Sequence, residues 1–181
     1  MDKPLGQLEA MSYYIIAAAA GHDTTSNTAA GALWGLAENP DRFRKVKADL
    51  SMIPAMAEAS VRWETPAKHF MRTATADTQV AGKAIKKGDW LFLSYPPGNR
   101  DEAVFEDAST FMADRTPNKH VAFGYGAHVC LGQRLARMEM RVLWEELLAR
   151  LKSAELSRAA RRTQANFGPG PQEVPIRFEM G

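Results

Sequence analysis

Only one cysteine, Cys130, occurs among the 181 residues, so an internal disulfide is excluded and a reducing compartment is expected. The longest early uncharged run, residues 11–21, is too short to span a bilayer. Neither sign of charge dominates, with 23 Lys and Arg against 21 Asp and Glu, which argues against a broad nucleic-acid surface. The first ten residues lack the basic segment and apolar core of a signal peptide. We therefore expect one cytoplasmic domain over residues 1–181.

The cysteine lies in a glycine-rich stretch, FGYGAHVCLG, directly before an amphipathic segment. Apolar residues recur in that segment with a period close to 3.6, which predicts a helix. A helix N-terminus favours an anion, so Cys130 is biased towards the thiolate, which is a metal ligand or a nucleophile. Gly124, Gly126 and Gly132 allow conformations and close approaches that a Cβ would prevent. The loop is therefore suited to lie flat against a planar ligand.

Two other interpretations of Cys130 remain open at this point. Cysteine is among the most buried residue types, so it could be a structural core residue. It could also be the nucleophile of a cysteine-dependent enzyme, although the sequence offers no clear partner base.

The spacing F-x-x-G-x-x-x-C-x-G, carried by Phe123, Gly126, Cys130 and Gly132, resembles the haem-binding loop of the cytochrome P-450 family. A second stretch supports this resemblance. The segment AGHDT at residues 20–24 is similar to the family signature (A/G)-G-x-(D/E)-T of the long central helix, and it precedes the cysteine loop by about a hundred residues, as in the family.

A third family motif is present only in part. Arg62 matches the arginine of an E-x-x-R pair, and Arg115 matches a second arginine that joins this pair in family members. The glutamate position is Ala59, and the nearest carboxylate, Glu58, is one residue too early. One residue turns a helical side chain by about 100°, so Glu58 is not expected to face Arg62. The sequence thus predicts two arginines without their shared carboxylate.

The resemblance implies a haem b cofactor (iron protoporphyrin IX) with Cys130 as the proximal iron ligand. His128 and Arg72 stand where the family holds haem propionates, and Phe123 stands where it shields the sulfur. The loop glycines, Gly124, Gly126 and Gly132, would complete the cofactor site. On the opposite face, Thr24 would hydrogen-bond oxygen and Asp23 would help to deliver protons. For Arg72, an ordinary exposed strand arginine is the equal alternative.

The implied activity is that of a monooxygenase, an oxidoreductase that inserts one atom of O2 into a C–H bond of a small apolar substrate. Its electrons would come from a ferredoxin-type redox partner. Arg134 and Arg137 either meet that partner or are solvated helix charges. The alternatives are a haem-binding module without turnover and a truncated or designed relic that binds no haem.

The fold expected is mainly α with small antiparallel β elements, that is, α+β. Helices are predicted at residues 5–38, 41–48 and 53–63 and after the cysteine loop. An antiparallel sheet is predicted within residues 68–93, coil over residues 95–118, and a hairpin-like strand pair around a Gly-Pro turn at residues 166–180. Arg158, Arg161 and Arg162 are predicted to form a solvated turn. In the middle of the first helix, Gly21, Thr24 and Thr25 predict a local distortion.

The resemblance extends over nearly the whole chain but corresponds to the carboxyl-terminal half of the cytochrome P-450 fold. The family's amino-terminal elements, which close the distal pocket, have no counterpart in the sequence. One flank of the first helix, with Tyr13, Tyr14, Ile15 and Ile16, is therefore expected to be exposed. Such an apolar patch would favour self-association.

Overall fold

The computed structural model describes residues 4–181, and helices form most of its framework. The first helix, α1, is Gln7–Glu38, and it ends before the Asn39-Pro40 dipeptide because a residue that precedes proline disfavours helical geometry. Helix α2 is Pro40–Ala48, and α3 is Ile53–Glu64. The predicted helices at the start of the chain are thus confirmed to within about two residues.

The remaining helices lie on either side of the cysteine loop. A four-residue helix, α4, is Tyr95–Gly98, so the coil predicted over residues 95–118 is wrong for its first four residues. The segment after α4 is irregular as far as the loop, as predicted. Helix α5, Gln133–Arg150, follows the loop directly. The amphipathic segment is therefore a helix, and Cys130 precedes it by three residues.

Short strands form four separate two-stranded antiparallel sheets. In the first sheet, His69–Thr73 (β1) pairs with Trp90–Ser94 (β4), and in the second, Thr78–Val80 (β2) pairs with Lys83–Ile85 (β3). The sheet predicted within residues 68–93 is thus two small sheets. The α+β class predicted from the sequence is confirmed.

The hairpin predicted at residues 166–180 is wrong. Strands β7 (Pro171–Glu173) and β8 (Ile176–Met180) do not pair with each other. Strand β8 pairs with Leu151–Leu156 (β5), and β7 pairs with Arg161–Arg162 (β6). Both partners come from earlier in the chain, and a local turn signal carries no information about such pairings.

The hydrophobic core lies where α1, α2, α3, α5 and β5 meet. Trp144 is its largest fully buried side chain, and Leu36, Val46, Ile53, Met56 and Leu148 have no exposed surface. Only the carboxyl-terminal part of α1 contributes to this core, beginning at Thr28. The amino-terminal part of α1 has no such cover.

Exposed apolar side chains occupy several faces of that amino-terminal part. Tyr13, Tyr14, Ile15 and Ile16 are 60–76% exposed, and Leu8 is 81% exposed. The predicted exposed flank of the first helix is confirmed. Self-association through it remains a prediction.

The predicted distortion in the middle of α1 does not interrupt the helix, which is continuous from Gln7 to Glu38. Thr25 was expected to bond to a carbonyl one turn earlier, but its Oγ1 lies 3.5 Å from Oε2 of Glu139. The bond expected at Thr24 is present, since Thr24 Oγ1 donates to the Ala20 carbonyl at 2.6 Å, and Thr28 Oγ1 likewise donates to the Thr24 carbonyl at 2.8 Å. These hydroxyl groups use carbonyl oxygens that already accept within the helix, so they are accommodated without breaking it.

A buried ion pair joins the carboxyl-terminal strands to α1 and α3. The Glu64 side chain has no exposed surface and accepts two hydrogen bonds from Arg162, at 2.6 and 3.0 Å. Arg162 also lies over the Trp34 ring, 4.8 Å from its centroid. The prediction of a solvated turn is therefore wrong for Arg161 and Arg162, which form β6, and Arg162 also binds Glu64. Arg158 and Arg161 are exposed, as predicted.

Gly31 makes room for that ion pair. A Cβ at this position would lie 2.4 Å from Oε2 of Glu64, which is closer than any ordinary contact. The close approach of α1 to α3 at this point therefore requires glycine.

Candidate cofactor site in the cysteine loop

The loop at residues 123–132 folds back on itself. Gly124 and Gly126 adopt φ angles of +72° and +74°, which side chains with a Cβ rarely tolerate. The Cys130 amide then donates to the Phe123 carbonyl at 2.9 Å, and the Gln133 amide donates to the Cys130 carbonyl at 3.3 Å. These bonds connect both ends of the loop and attach it to the first turn of α5.

Cys130 is exposed, so the interpretation as a buried structural cysteine is wrong. Within residues 4–181, no side chain hydrogen-bonds its sulfur, so the structure supplies no base for a cysteine nucleophile. A thiol presented at the start of a helix and left without a protein partner is suited to bind an external electrophile such as a metal.

The surroundings of the thiol fit a planar apolar cofactor. Val129 and Leu131 flank Cys130 and are 41% and 101% exposed, and Tyr125 in the same loop is 91% exposed. A Cβ built on Gly126 would meet nothing within 4 Å, so the loop surface there is open. Exposed apolar groups around one soft ligand atom match the chemistry of haem, whose ring is apolar and whose iron accepts a thiolate.

Phe123 is half-buried behind the loop and contacts two polar side chains. The His120 ring lies 5.7 Å from its centroid, and the Arg137 guanidinium carbon lies 4.5 Å from it. Both of these residues bind Glu58 of α3: His120 Nε2 is 3.1 Å from Oε2, and Arg137 Nη2 donates to Oε2 at 3.1 Å. We call Glu58, His120, Phe123 and Arg137 the Glu58 cluster.

Within the cluster, burial alone would raise the pKa of Glu58. Hydrogen bonds from His120 and Arg137, together with the positive charge of Arg137, outweigh that effect and lower the pKa to about 2. The Ala122 amide donates to Nδ1 of His120, at 3.3 Å, which assigns the ring proton to Nε2 and the donor role to His120. Arg137 is thus neither a free charge nor a plain solvated one.

The structure confirms that Glu58 does not face Arg62. Arg62 is 1% exposed and donates to the backbone carbonyls of Asn99, Ala108 and Thr110, at 2.7–3.1 Å. Burial, then the nearby charges of Arg115 and Arg100, lower the pKa of Arg62 to about 10. Carbonyl oxygens therefore replace the missing carboxylate only in part, and Nε of Arg62 is buried without a partner among the described residues.

The structure places the other predicted site residues on separate elements. His128 is exposed in a short helical turn, Gly126–His128, within the loop, and Gly132 precedes α5. Arg72 lies on β1, where Nη1 donates to the neighbouring Met71 carbonyl at 2.8 Å. Asp23 is exposed on α1, and Thr24 next to it is half-buried.

One contact joins the helix of Thr24 to the helix that follows Cys130. Thr25 Oγ1 is 3.5 Å from Oε2 of Glu139 on α5. The two motif-bearing elements, α1 and α5, therefore pack together in the fold.

Sequence reasoning missed His120. It lies three residues before the start of the F-x-x-G-x-x-x-C-x-G motif, and its side chain is only 3% exposed. The available signal was a lone histidine beside a glycine-rich loop, and nothing in the sequence indicated that its partner would be Glu58, 62 residues earlier.

Comparisons with known proteins agree with this geometry. The family model described as cytochrome P-450 matches residues 48–168. Cytochrome P-450-terp from a Pseudomonas species is 52% identical over 167 residues, which cover 92% of this chain and 39% of that protein. Linalool 8-monooxygenase from Pseudomonas putida is 40% identical over 156 residues, covering 86% of this chain and 38% of that protein.

Solved structures show the same relationship in three dimensions. The crystal structure of CYP108D1 from Novosphingobium aromaticivorans superposes with a TM-score of 0.95 at 46% identity, covering 99% of this chain and 44% of that one. A thiol-presenting glycine loop between a long helix and a following helix is thus part of a shared architecture. The chain belongs to the cytochrome P-450 family, whose cofactor is haem, and it spans about two fifths of the length of the curated relatives that it matches.

Among residues 4–181, no helix has both the length and the apolar character needed to cross a membrane.

Proposed function

We propose that this chain forms the haem-binding part of a haem-thiolate monooxygenase. One observation carries the proposal: the exposed thiol of Cys130 stands in a glycine loop, at the start of α5, within a chain that superposes on a cytochrome P-450 with a TM-score of 0.95. A cytoplasmic location and a single domain over residues 1–181 remain predictions from the sequence.

Cys130 would supply the thiolate ligand, with haem b held against Gly124, Gly126 and Gly132. When bound, the haem supplies oxygen activation, which a thiolate ligand promotes by donating electron density. His128 is exposed within the loop, and Arg72 bonds only a backbone carbonyl, so both are available to bind the cofactor's carboxylates. Phe123 would cover the sulfur side of the ring.

Thr24 and Asp23 would assist proton transfer on the face of the haem opposite Cys130. The Thr24 hydroxyl donates its own proton to the Ala20 carbonyl, which leaves its oxygen lone pairs free to accept. The exposed carboxyl of Asp23, one residue earlier, would exchange protons with solvent. In this arrangement Thr24 would orient the oxygen site by accepting a hydrogen bond, and Asp23 would supply protons from solvent.

The substrate class we propose is a small apolar molecule. The name of one relative, linalool 8-monooxygenase, specifies a terpenoid alcohol, and other relatives are named steroid C26-monooxygenases. These names support an apolar substrate without selecting one. The reaction would place one oxygen atom in a C–H bond and reduce the other to water.

The electron donor we propose is a ferredoxin-type protein that meets the start of α5. Arg134, Arg137 and Arg141 line a surface groove of about 380 Å³ with Glu58 as its single carboxylate. This groove lies beside the helix that follows the thiolate ligand, and its excess positive charge suits an acidic partner.

A second candidate function is haem binding without turnover. One observation favours it: apolar side chains are exposed on several faces of the amino-terminal part of α1. If this second candidate function is right, the exposed apolar flank of α1 would bind another protein, which includes a second copy of the chain.

The test is haem titration of the chain and of its Cys130→Ser variant. Because Cys130 is exposed, serine should leave the melting temperature unchanged, which controls for folding. We expect the variant to lose most of its haem affinity, and equal affinity would refute the thiolate assignment. Incubating the loaded chain with linalool, a ferredoxin system and isotopically labelled O2 then separates the candidates, since only a monooxygenase places the label in the product.

A further inference from the structure

The Glu58 cluster closes a ring of contacts behind the cysteine loop. Glu58 binds both His120 and Arg137, and both of these contact the Phe123 ring. The four side chains come from α3, from the segment just before the loop, from the loop itself and from the second turn of α5. The ring of contacts therefore joins the beginning of the loop to α3 and α5.

Phe123 connects the Glu58 cluster to Cys130. Its carbonyl accepts the Cys130 amide at 2.9 Å, so a displacement of Phe123 breaks a bond to the cysteine backbone directly. The ring of Phe123 is held by a guanidinium on one side, 4.5 Å away, and by an imidazole 5.7 Å away. Glu58 binds both of the groups that contact this ring and so couples their positions.

Arg137 is itself held in place by more than Glu58. Its Nη1 donates to the Gln133 side-chain oxygen at 2.9 Å, one turn earlier on α5. His120 is fixed by the Ala122 amide, and its side chain is 3% exposed. His120 and Arg137 thus each have an anchor besides Glu58, which further limits the positions that Phe123 can adopt.

We propose that Glu58 is a positioning residue for the thiolate ligand: through His120 and Arg137 it holds Phe123, and thereby holds the Cys130 backbone in its binding geometry before any cofactor is present. The claim that this loop geometry serves haem binding rests on the proposed function. The claim that Glu58 holds the loop in place concerns the haem-free chain and does not depend on it.

The test is amide hydrogen exchange of the haem-free chain, comparing the wild type with Glu58→Gln. We expect exchange at the Cys130 amide to accelerate by about tenfold or more, because losing charged hydrogen bonds releases the loop. Exchange at the Trp144 amide, in the core part of α5, should change far less. The matched control is Glu145→Gln, which removes an exposed carboxylate that pairs with Arg141 on the same helix and should leave Cys130 unchanged.

Unchanged exchange at Cys130, or equal acceleration at Cys130 and Trp144, would overturn the proposal. If Glu58→Gln does not melt cooperatively, Arg137→Lys replaces it, since lysine keeps the charge but cannot bind Glu58 through two nitrogens while covering Phe123. For Arg137→Lys, too, unchanged exchange at Cys130 or equal acceleration at Cys130 and Trp144 would overturn the proposal.

Haem dissociation from the loaded chain separates this proposal from the proposed function. Faster exchange together with faster haem loss in Glu58→Gln supports both. Faster exchange with an unchanged rate of haem loss would show that Glu58 holds the loop but that this does not help to retain the cofactor. If the wild type binds no haem, the proposed function fails, and hydrogen exchange alone still decides whether Glu58 holds the loop.

Discussion

The guanidinium groups of Arg62 and Arg115 lie over the same aromatic ring, 5.1 and 5.9 Å from the Phe105 centroid. Both are buried, and both donate to backbone carbonyls instead of a carboxylate. Each has a buried Nε without a partner among the described residues. The region therefore carries a surplus of positive charge, which a buried environment penalises.

A carboxylate at position 59 should relieve that penalty. Ala59 lies one turn before Arg62 on the same helix face and is 1% exposed. We expect Ala59→Glu to stabilise the chain by about 1.5–3 kcal/mol relative to Ala59→Gln, because a hydrogen bond to a charged group is worth about that much. Thermal melting of both variants checks this, and the glutamine variant controls for the added volume. A glutamine variant that melts as high as the glutamate variant would show that charge is not the cause.

Two glycines of α1 should respond oppositely to alanine. Gly31→Ala should destabilise the chain, because its Cβ would lie 2.4 Å from Oε2 of Glu64, whereas a Cβ at Gly21 would meet nothing within 4 Å. Gly21→Ala should therefore stabilise by about 0.5–1 kcal/mol, the usual gain of alanine over glycine in a helix. Chemical denaturation of the haem-free chain measures both, and a stabilising Gly31→Ala would contradict the close packing of α1 on α3.

The buried carboxylate of Glu64 should matter far more than an exposed one. Removing its charge with Glu64→Gln weakens the bonds from Arg162 and leaves a fully buried polar group poorly paired, which we expect to cost about 1–3 kcal/mol because Arg162 is itself 38% exposed. The control is Glu146→Gln, whose exposed pair with Arg150 is worth at most about 0.5 kcal/mol. Similar melting temperatures for the two variants would refute the role assigned to Glu64.

Acid should weaken the chain through Glu58. Its pKa is lowered from 4.5 to about 2 in the folded chain, so the stability that it contributes is fully present above pH 4.5 and is lost as the pH falls towards 2. In Glu58→Gln this part of the loss should disappear. Free energies of unfolding measured across that range check the prediction, and parallel curves for the two chains would contradict it.

The sequence predicted the elements that have local signals. Helix periodicity, the Asn39-Pro40 stop and the glycines before α5 correctly indicated α1, α3 and α5, and the cysteine motif indicated the family. The sequence did not predict contacts between residues that lie far apart in the chain. The pairing of β7 and β8 with earlier strands, and of Arg162 with Glu64 at a separation of 98 residues, depends on packing that no local pattern encodes.

In the candidate site, too, features with a local sequence signal could be predicted and long-range contacts could not. The glycine loop before α5 follows from Gly124, Gly126 and the helix start, all of which are readable from sequence. The exposure of Cys130 was not, because burial of this cysteine remained open. The side chains that hold Phe123 are not, because Glu58 finds its partners only once α3 and α5 have packed. The vacant carboxylate position at Ala59 was readable, but the carbonyls that bind Arg62 instead were not.

The most direct test of the central claim is the absorption spectrum of the haem-loaded, dithionite-reduced chain under carbon monoxide. Thiolate ligation by Cys130 predicts a strongly red-shifted Soret band, which Cys130→Ser should abolish. A Soret band at the shorter wavelength of a neutral or histidine ligand, or a failure to bind haem, would contradict the assignment of Cys130 as the iron ligand.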